Sequence, residues 1–114
     1  MSLRGVALQN VRATLLVAEN LLQDVPMVRY RVLVSGRVQG VFFRDTCRRV
    51  AVEHGVTGWV RNLPDGRVEA VFEGPDADVR RLLDWAHHGP RLAVVDAVKV
   101  EPEPPEGLAA FQVK

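Results

Sequence analysis

The sequence predicts an α+β fold, a ferredoxin-like βαββαβ sandwich with an antiparallel sheet of four to five strands and two helices on one face. Three observations carry this reading. The hydrophobic period changes along the chain, two-residue alternation giving way twice to a stripe at helical spacing. Glycine and proline cluster where the period changes. The resulting order of strands and helices is the split-βαβ arrangement, in which both helices cover the same side of one sheet.

The first strand begins near Val28, where Tyr30, Val32 and Val34 alternate with Arg31, Leu33 and Ser35, and Gly36 is expected to end it. After the loop 36–42, Phe43, Cys47, Val50, Ala51 and His54 form a helical stripe that Gly55 closes. Val56 to Asn62 reads as a second strand, weakened by Gly58. Leu63-Pro64-Asp65-Gly66 is a turn. The third strand, Arg67 to Glu73, sets Val68, Ala70 and Phe72 on one face and Arg67, Glu69, Val71 and Glu73 on the other. The second and third strands therefore make a hairpin. Gly74-Pro75 interrupts the chain, and Asp76 is placed to cap a second helix with the stripe Val79, Leu82, Leu83 and Ala86. Gly89-Pro90 stops that helix. Val94 to Glu101 forms a fourth strand, ended by Pro102, Pro104 and Pro105, and Phe111 to Lys114 can add a short fifth.

Residues 1–26 read as an extension of the domain at 27–114. Val11, Leu15, Ala18, Leu22 and Val25 fall on one helical stripe before Pro26. An amphipathic helix and a disordered leader both fit this pattern, and the sequence leaves both open.

Composition narrows the function. At 114 residues the chain has room for one core, and its formal net charge of +1 is too small to hold nucleic acid or an anionic membrane non-specifically. Cys47 is the only cysteine, and with three histidines (His54, His87, His88) a structural zinc site is not expected. No apolar run reaches membrane-spanning length, and the N-terminus lacks the pattern of a signal peptide. The expected setting is therefore the cytoplasm.

The chemistry concentrates in the first strand–helix connection. Gly36 and Gly40 allow backbone conformations in which successive N–H groups converge. The loop runs straight into a helix whose first amides are unpaired, which favours an anion such as phosphate. Arg44, in the first turn, opposes the helix dipole at a cost of ~0.3–1 kcal/mol, a cost that a bound phosphate would reverse. By itself this arrangement also describes a tight turn followed by a surface arginine.

The segment Gly36-Arg37-Val38-Gln39-Gly40-Val41-Phe42-Phe43-Arg44 resembles the signature loop of the acylphosphatase family. A second family element resembles Gly58-Trp59-Val60-Arg61-Asn62, followed by Asp65-Gly66-Arg67-Val68-Glu69. The likeness continues through Phe72-Glu73-Gly74-Pro75 to Phe111-Gln112-Val113 and covers essentially all of 28–114. It implies hydrolysis of the carboxyl–phosphate anhydride of acyl phosphates without metal or cofactor. It also implies that the backbone amides of Gln39, Gly40, Val41, Phe42, Phe43 and Arg44 cradle the phosphate. Arg44 would grip that phosphate through its planar fork, and Asn62 would orient the attacking water. Inorganic phosphate would then be both product and competitive inhibitor, and the enzyme is expected to act as a monomer. Leu63 departs from the polar residue that many relatives carry after the asparagine, so any hydrogen bond from that place is missing here.

No Ser/His/Asp set is placed as a nucleophilic triad. Cys47 lies on the inner stripe and reads as core; His87 and His88 read as favourable at a helix C-terminus, and Trp59 and Trp85 as packing or rim residues. Two other classes compete with the enzyme. An RNA-recognition domain shares the βαββαβ order, but the third strand's outer set has no aromatic residue and two carboxylates. A phosphate-sensing module would keep the loop and Arg44 but has no use for Asn62. A chain shortened to start at Met27 is expected to fold and to hydrolyse acyl phosphate, as circular dichroism and turnover would show. Loss of folding would instead place the Val11–Val25 stripe in the core.

Overall fold

The computed structural model describes residues 25–114, so the expectation of an extension at 1–26 lies almost wholly outside the described residues. The elements run β1 (Met27–Arg37), α1 (Phe43–Glu53), β2 (Thr57–Asn62), β3 (Val68–Pro75), α2 (Asp76–Ala86), β4 (Val94–Glu103) and β5 (Phe111–Val113). They form one five-stranded sheet in the order β4-β1-β3-β2-β5. Strands β1 to β4 pair antiparallel, whereas β5 runs parallel to β2. The sheet is therefore mixed, and the expected antiparallel sheet is corrected at that edge. A parallel neighbour needs a long return, and the chain after β4 supplies it by crossing the sheet from one edge to the other.

The helices pack on one face, α1 against β2 and β5, α2 against β1 and β3. Their buried stripes are Phe43, Cys47 and Ala51 on α1 and Val79, Leu82 and Ala86 on α2, matching the predicted spacing. Val32, Val34, Val60, Val68, Ala70, Phe72 and Phe111 face them from the sheet and complete one core. Burial pushes the Cys47 thiol far above its usual range, so it stays protonated and inert.

Several boundaries differ from the sequence reading for local reasons. Strand β1 passes Gly36 to Arg37 through a register shift at Ser35/Gly36, and β4 lies so close that a Cβ on Gly36 would overlap the Val94 carbonyl oxygen. Strand β4 continues through Pro102 to Glu103. It is an edge strand, where a missing N–H on the open side costs no ladder bond. Asp76 does not cap α2: Pro75 holds that position without a side-chain bond, and Asp76 instead pairs with Arg80 at 2.9 Å.

The outer face of β3 is the larger correction, because Val68 through Gly74 are all buried. Glu69 and Glu73 do not project into water. Arg31 and Arg61 reach Glu69 at 3.3 and 2.6 Å, and Arg29 reaches Glu73 at 3.3 Å and Glu103 at 3.0 Å. The carboxylates are thus neutralised, and repulsion from this face no longer argues against nucleic acid.

Glu73 does more than pair with Arg29. Its carboxylate accepts from the amides of Glu106, Gly107 and Leu108 at 3.1, 2.6 and 3.2 Å, holding the crossing segment against the sheet. Burial works against its ionisation, but those three amides and Arg29 outweigh it and hold the carboxyl below its usual range. A depressed pKa contributes stability that is present above the unfolded value and lost as pH falls through the folded one. Acid titration followed by circular dichroism should accordingly show Glu73→Gln losing less stability on acidification than the parent. Glu73→Ala, which strips a buried arginine of a partner, should cost about 3 kcal/mol or more in urea denaturation at neutral pH.

Candidate active site

Phe43 begins α1 and is the anchor of the site. Its side chain is buried, with its ring 5.1 Å from that of Trp85 on α2 at a tilt of 54°. This contact ties the start of α1 to the second helix and makes Trp85 a packing residue. Val38 and Val41 are also buried, pinning the loop from its inner side.

Between these anchors the backbone takes an unusual course. Gly40 has φ 73°, and Phe42 has φ 64° and ψ 26°, while Val41 between them keeps an ordinary negative φ. Phe42 is the only non-glycine residue with positive φ among the described residues. A left-handed aromatic residue stores about 1–3 kcal/mol of strain, a cost typical of binding sites. Alternation of left- and right-handed residues turns successive N–H groups toward one concavity. The first helical bond runs from the Thr46 N–H to the Phe42 carbonyl at 3.1 Å, so the amides of Phe43, Arg44 and Asp45 lack intrahelical acceptors.

The loop is tied to the β2–β3 turn by Gln39, whose Nε2 donates to the carbonyls of Leu63 at 2.7 Å and Arg67 at 3.0 Å. That turn follows Asn62, the last residue of β2. Leu63 N–H donates to the Arg67 carbonyl at 2.8 Å, and Asp65 accepts from the Arg67 backbone N–H at 3.0 Å, which confirms Asp65 as a turn residue.

A cleft of about 360 Å³ lies where these elements meet, lined by Val38, Gly40, Phe42, Phe43, Arg44, Asp45, Asn62 and Val113. Arg44 and Asn62, on different elements, thus border the same space. Of the six loop residues expected to cradle phosphate, Gly40, Phe42, Phe43 and Arg44 line it. The side chains of Gln39 and Val41 do not, one bonding the hairpin turn and the other entering the core.

Val38, Asp45 and Val113 were not singled out from sequence, nor was the contact that steadies the arginine. Arg44 Nη1 donates to the Lys114 carbonyl oxygen at 3.2 Å, and the Lys114 amide in turn donates to the Val60 carbonyl at 2.8 Å. Only the parallel pairing of β5 with β2 brings those residues to the cleft. Asp45 could have been found from its place one residue beyond the signature arginine. Among the described residues no cluster of three or more His, Cys, Asp or Glu could hold a metal ion, and no helix is long and apolar enough to cross a membrane. His87, through Nδ1, contacts the Leu83 carbonyl at 2.8 Å at the end of α2, the helix-end role expected of it.

Comparison with known proteins bears on the family and the fold. Residues 30–113 match the family model described as Acylphosphatase. The chain is 60% identical over 86 residues to the acylphosphatase of Gloeobacter violaceus, covering 75% of this chain and 92% of that protein. It is 58% identical over 86 residues to the acylphosphatase of Haloarcula marismortui, covering 75% and 94%. Among solved structures, an acylphosphatase from Coxiella burnetii superposes with a TM-score of 0.75 at 41% identity, covering 77% of this chain and 93% of that one.

Proposed function

This chain belongs to the acylphosphatase family, enzymes that hydrolyse acyl phosphates, and from that premise we propose how its own residues divide the work. The substrate phosphate sits on the amides of residues 39–44 at the start of α1, where the helix dipole and the fork of Arg44 meet its charge. Arg44 spends one of its five N–H donors on Lys114, which holds the side chain in place while leaving donors for phosphate. Asn62 accepts a hydrogen bond from the attacking water through its amide oxygen and aims that water at phosphorus. The bond between phosphorus and the acyl oxygen breaks, the carboxylate leaves with the electron pair, and the water's proton passes to an oxygen of the substrate's own phosphate. Positioning and charge stabilisation suffice because a carboxylate is already a good leaving group. No metal or cofactor enters this scheme, and the catalytic unit is the monomeric domain 27–114, acting in the cytoplasm.

The observation that carries this reading is the shared cleft of Arg44 and Asn62. Inorganic phosphate, filling the same cradle, should inhibit competitively. Arg44→Ala should weaken both phosphate inhibition and turnover, and Arg44→Lys should rescue little, because a point charge does not reproduce a bidentate fork. Asn62→Ala should keep a near-normal phosphate inhibition constant while kcat drops by roughly two or more powers of ten, about 3 kcal/mol of barrier. Equal loss in both quantities would make Asn62 a binding or structural residue.

Asp45 supports a second route for the proton, since it is a carboxylate lining the same cleft. The two routes separate cleanly in the turnover of Asp45→Asn. Transfer to the substrate predicts an unchanged kcat, whereas a general base predicts a large drop.

A further inference from the structure

A second hollow, also about 360 Å³, shares Phe42 with the cleft of Arg44 and Asn62. Phe42 lines both, as an exposed ring (72%) on a left-handed backbone, so the two spaces meet along one residue. The walls of the second hollow are mainly apolar, from Val41, Phe42, Pro90 and Leu92, and Leu92 is 61% exposed. Two cations stand in its rim, Arg49 from α1 and Arg91 from the segment between α2 and β4, beside the hydroxyl of Thr46. No acidic residue lines it. Five arginines among the described residues hold carboxylates in ion pairs (Arg29, Arg31, Arg61, Arg67 and Arg80, with Arg29 meeting three acids); neither Arg49 nor Arg91 is seen in such a pair among the described residues.

We propose that this hollow is the acyl-group subsite, and that Arg49 and Arg91 select acyl phosphates whose acyl group carries a second negative charge. The inference rests on the catalytic reading above, which puts the phosphate on the loop amides one residue away. An acyl chain leaving that cradle past Phe42 enters a space lined by apolar side chains and two guanidinium groups. The apolar walls suit the carbon skeleton, and the cations suit a terminal carboxylate or phosphate, whose planar or tetrahedral oxygens guanidinium groups bind through paired N–H donors. Because both arginines are exposed, the preference is modest and sensitive to salt.

The test compares benzoyl phosphate with 4-carboxybenzoyl phosphate, which differ by one remote carboxylate and are both followed by ultraviolet absorbance. For the parent enzyme at low ionic strength, the carboxylated substrate should have a KM roughly five- to tenfold lower, and this advantage should shrink as salt is added. In Arg49→Ala/Arg91→Ala the ratio of kcat/KM between the two substrates should fall by a similar factor, and Arg49→Lys/Arg91→Lys should restore part of it. Equal KM values for the parent at every salt concentration would overturn the subsite without any variant being needed, as would a ratio that the double substitution leaves unchanged. Failure to hydrolyse either compound would instead overturn the catalytic reading on which the subsite depends.

Discussion

The turn from β1 into α1 is the constraint on which the rest of the site depends. Within a few residues the chain must leave the sheet, present unpaired amides to solvent and start a helix whose first residue is in the core. Gly36 makes the departure possible because β4 leaves no room for a side chain. Buried Val38 and Val41 hold the inner side of the loop, and Phe43 against Trp85 fixes its far end. Phe42 lies between two such anchors, and their burial is what offsets the strain of its left-handed backbone. A concavity of N–H groups results, held in place by these packing contacts rather than by a ligand.

The opposite face of the sheet meets a different demand. Two glutamates on the central strand β3 are covered by arginines of β1 and β2, and Glu73 also accepts three amides from the segment that crosses toward β5. Exposed ion pairs contribute about 0–1 kcal/mol each, so the pairs near the rim matter little individually. Glu73 is different because its partners are backbone amides of the crossing chain and a buried arginine. The crossing chain delivers β5 beside β2, where Val113 lines the cleft and Lys114 contacts Arg44. Trp59 stacks under Arg61 and Lys114 at 5.2 and 4.5 Å from its ring centroid, adding cation–π contacts at the same edge. An acid on one face thus shares in holding the wall of a cleft at the sheet's end.

The helices and the β2–β3 hairpin were legible because each depends on local chemistry. The stripes Phe43–Cys47–Ala51 and Val79–Leu82–Ala86 follow from helical period, and Asp65-Gly66 from turn geometry. The alternation of β3 misled in one respect. Arginines on both neighbouring strands bury its polar face, and no property of β3 alone foretells that. Pro102 misled for a related reason, since a proline ends a central strand but is tolerated at a sheet edge, and edge status belongs to the assembled sheet.

The sequence by itself determined the order of elements and, through two family motifs, the family; the same motifs singled out Arg44 and Asn62, which line one cleft. Those features rest on residue type and short spacing, which tertiary context does not alter. Only the folded chain decided that β5 runs parallel to β2, that Lys114 reaches Arg44, that Gln39 locks the loop to the hairpin turn, and that Asp45 and Val113 border the cleft. Each of these joins residues more than 20 positions apart or sets which way a side chain faces. Such pairings arise from strand order and packing across the whole sheet, and no local period records them.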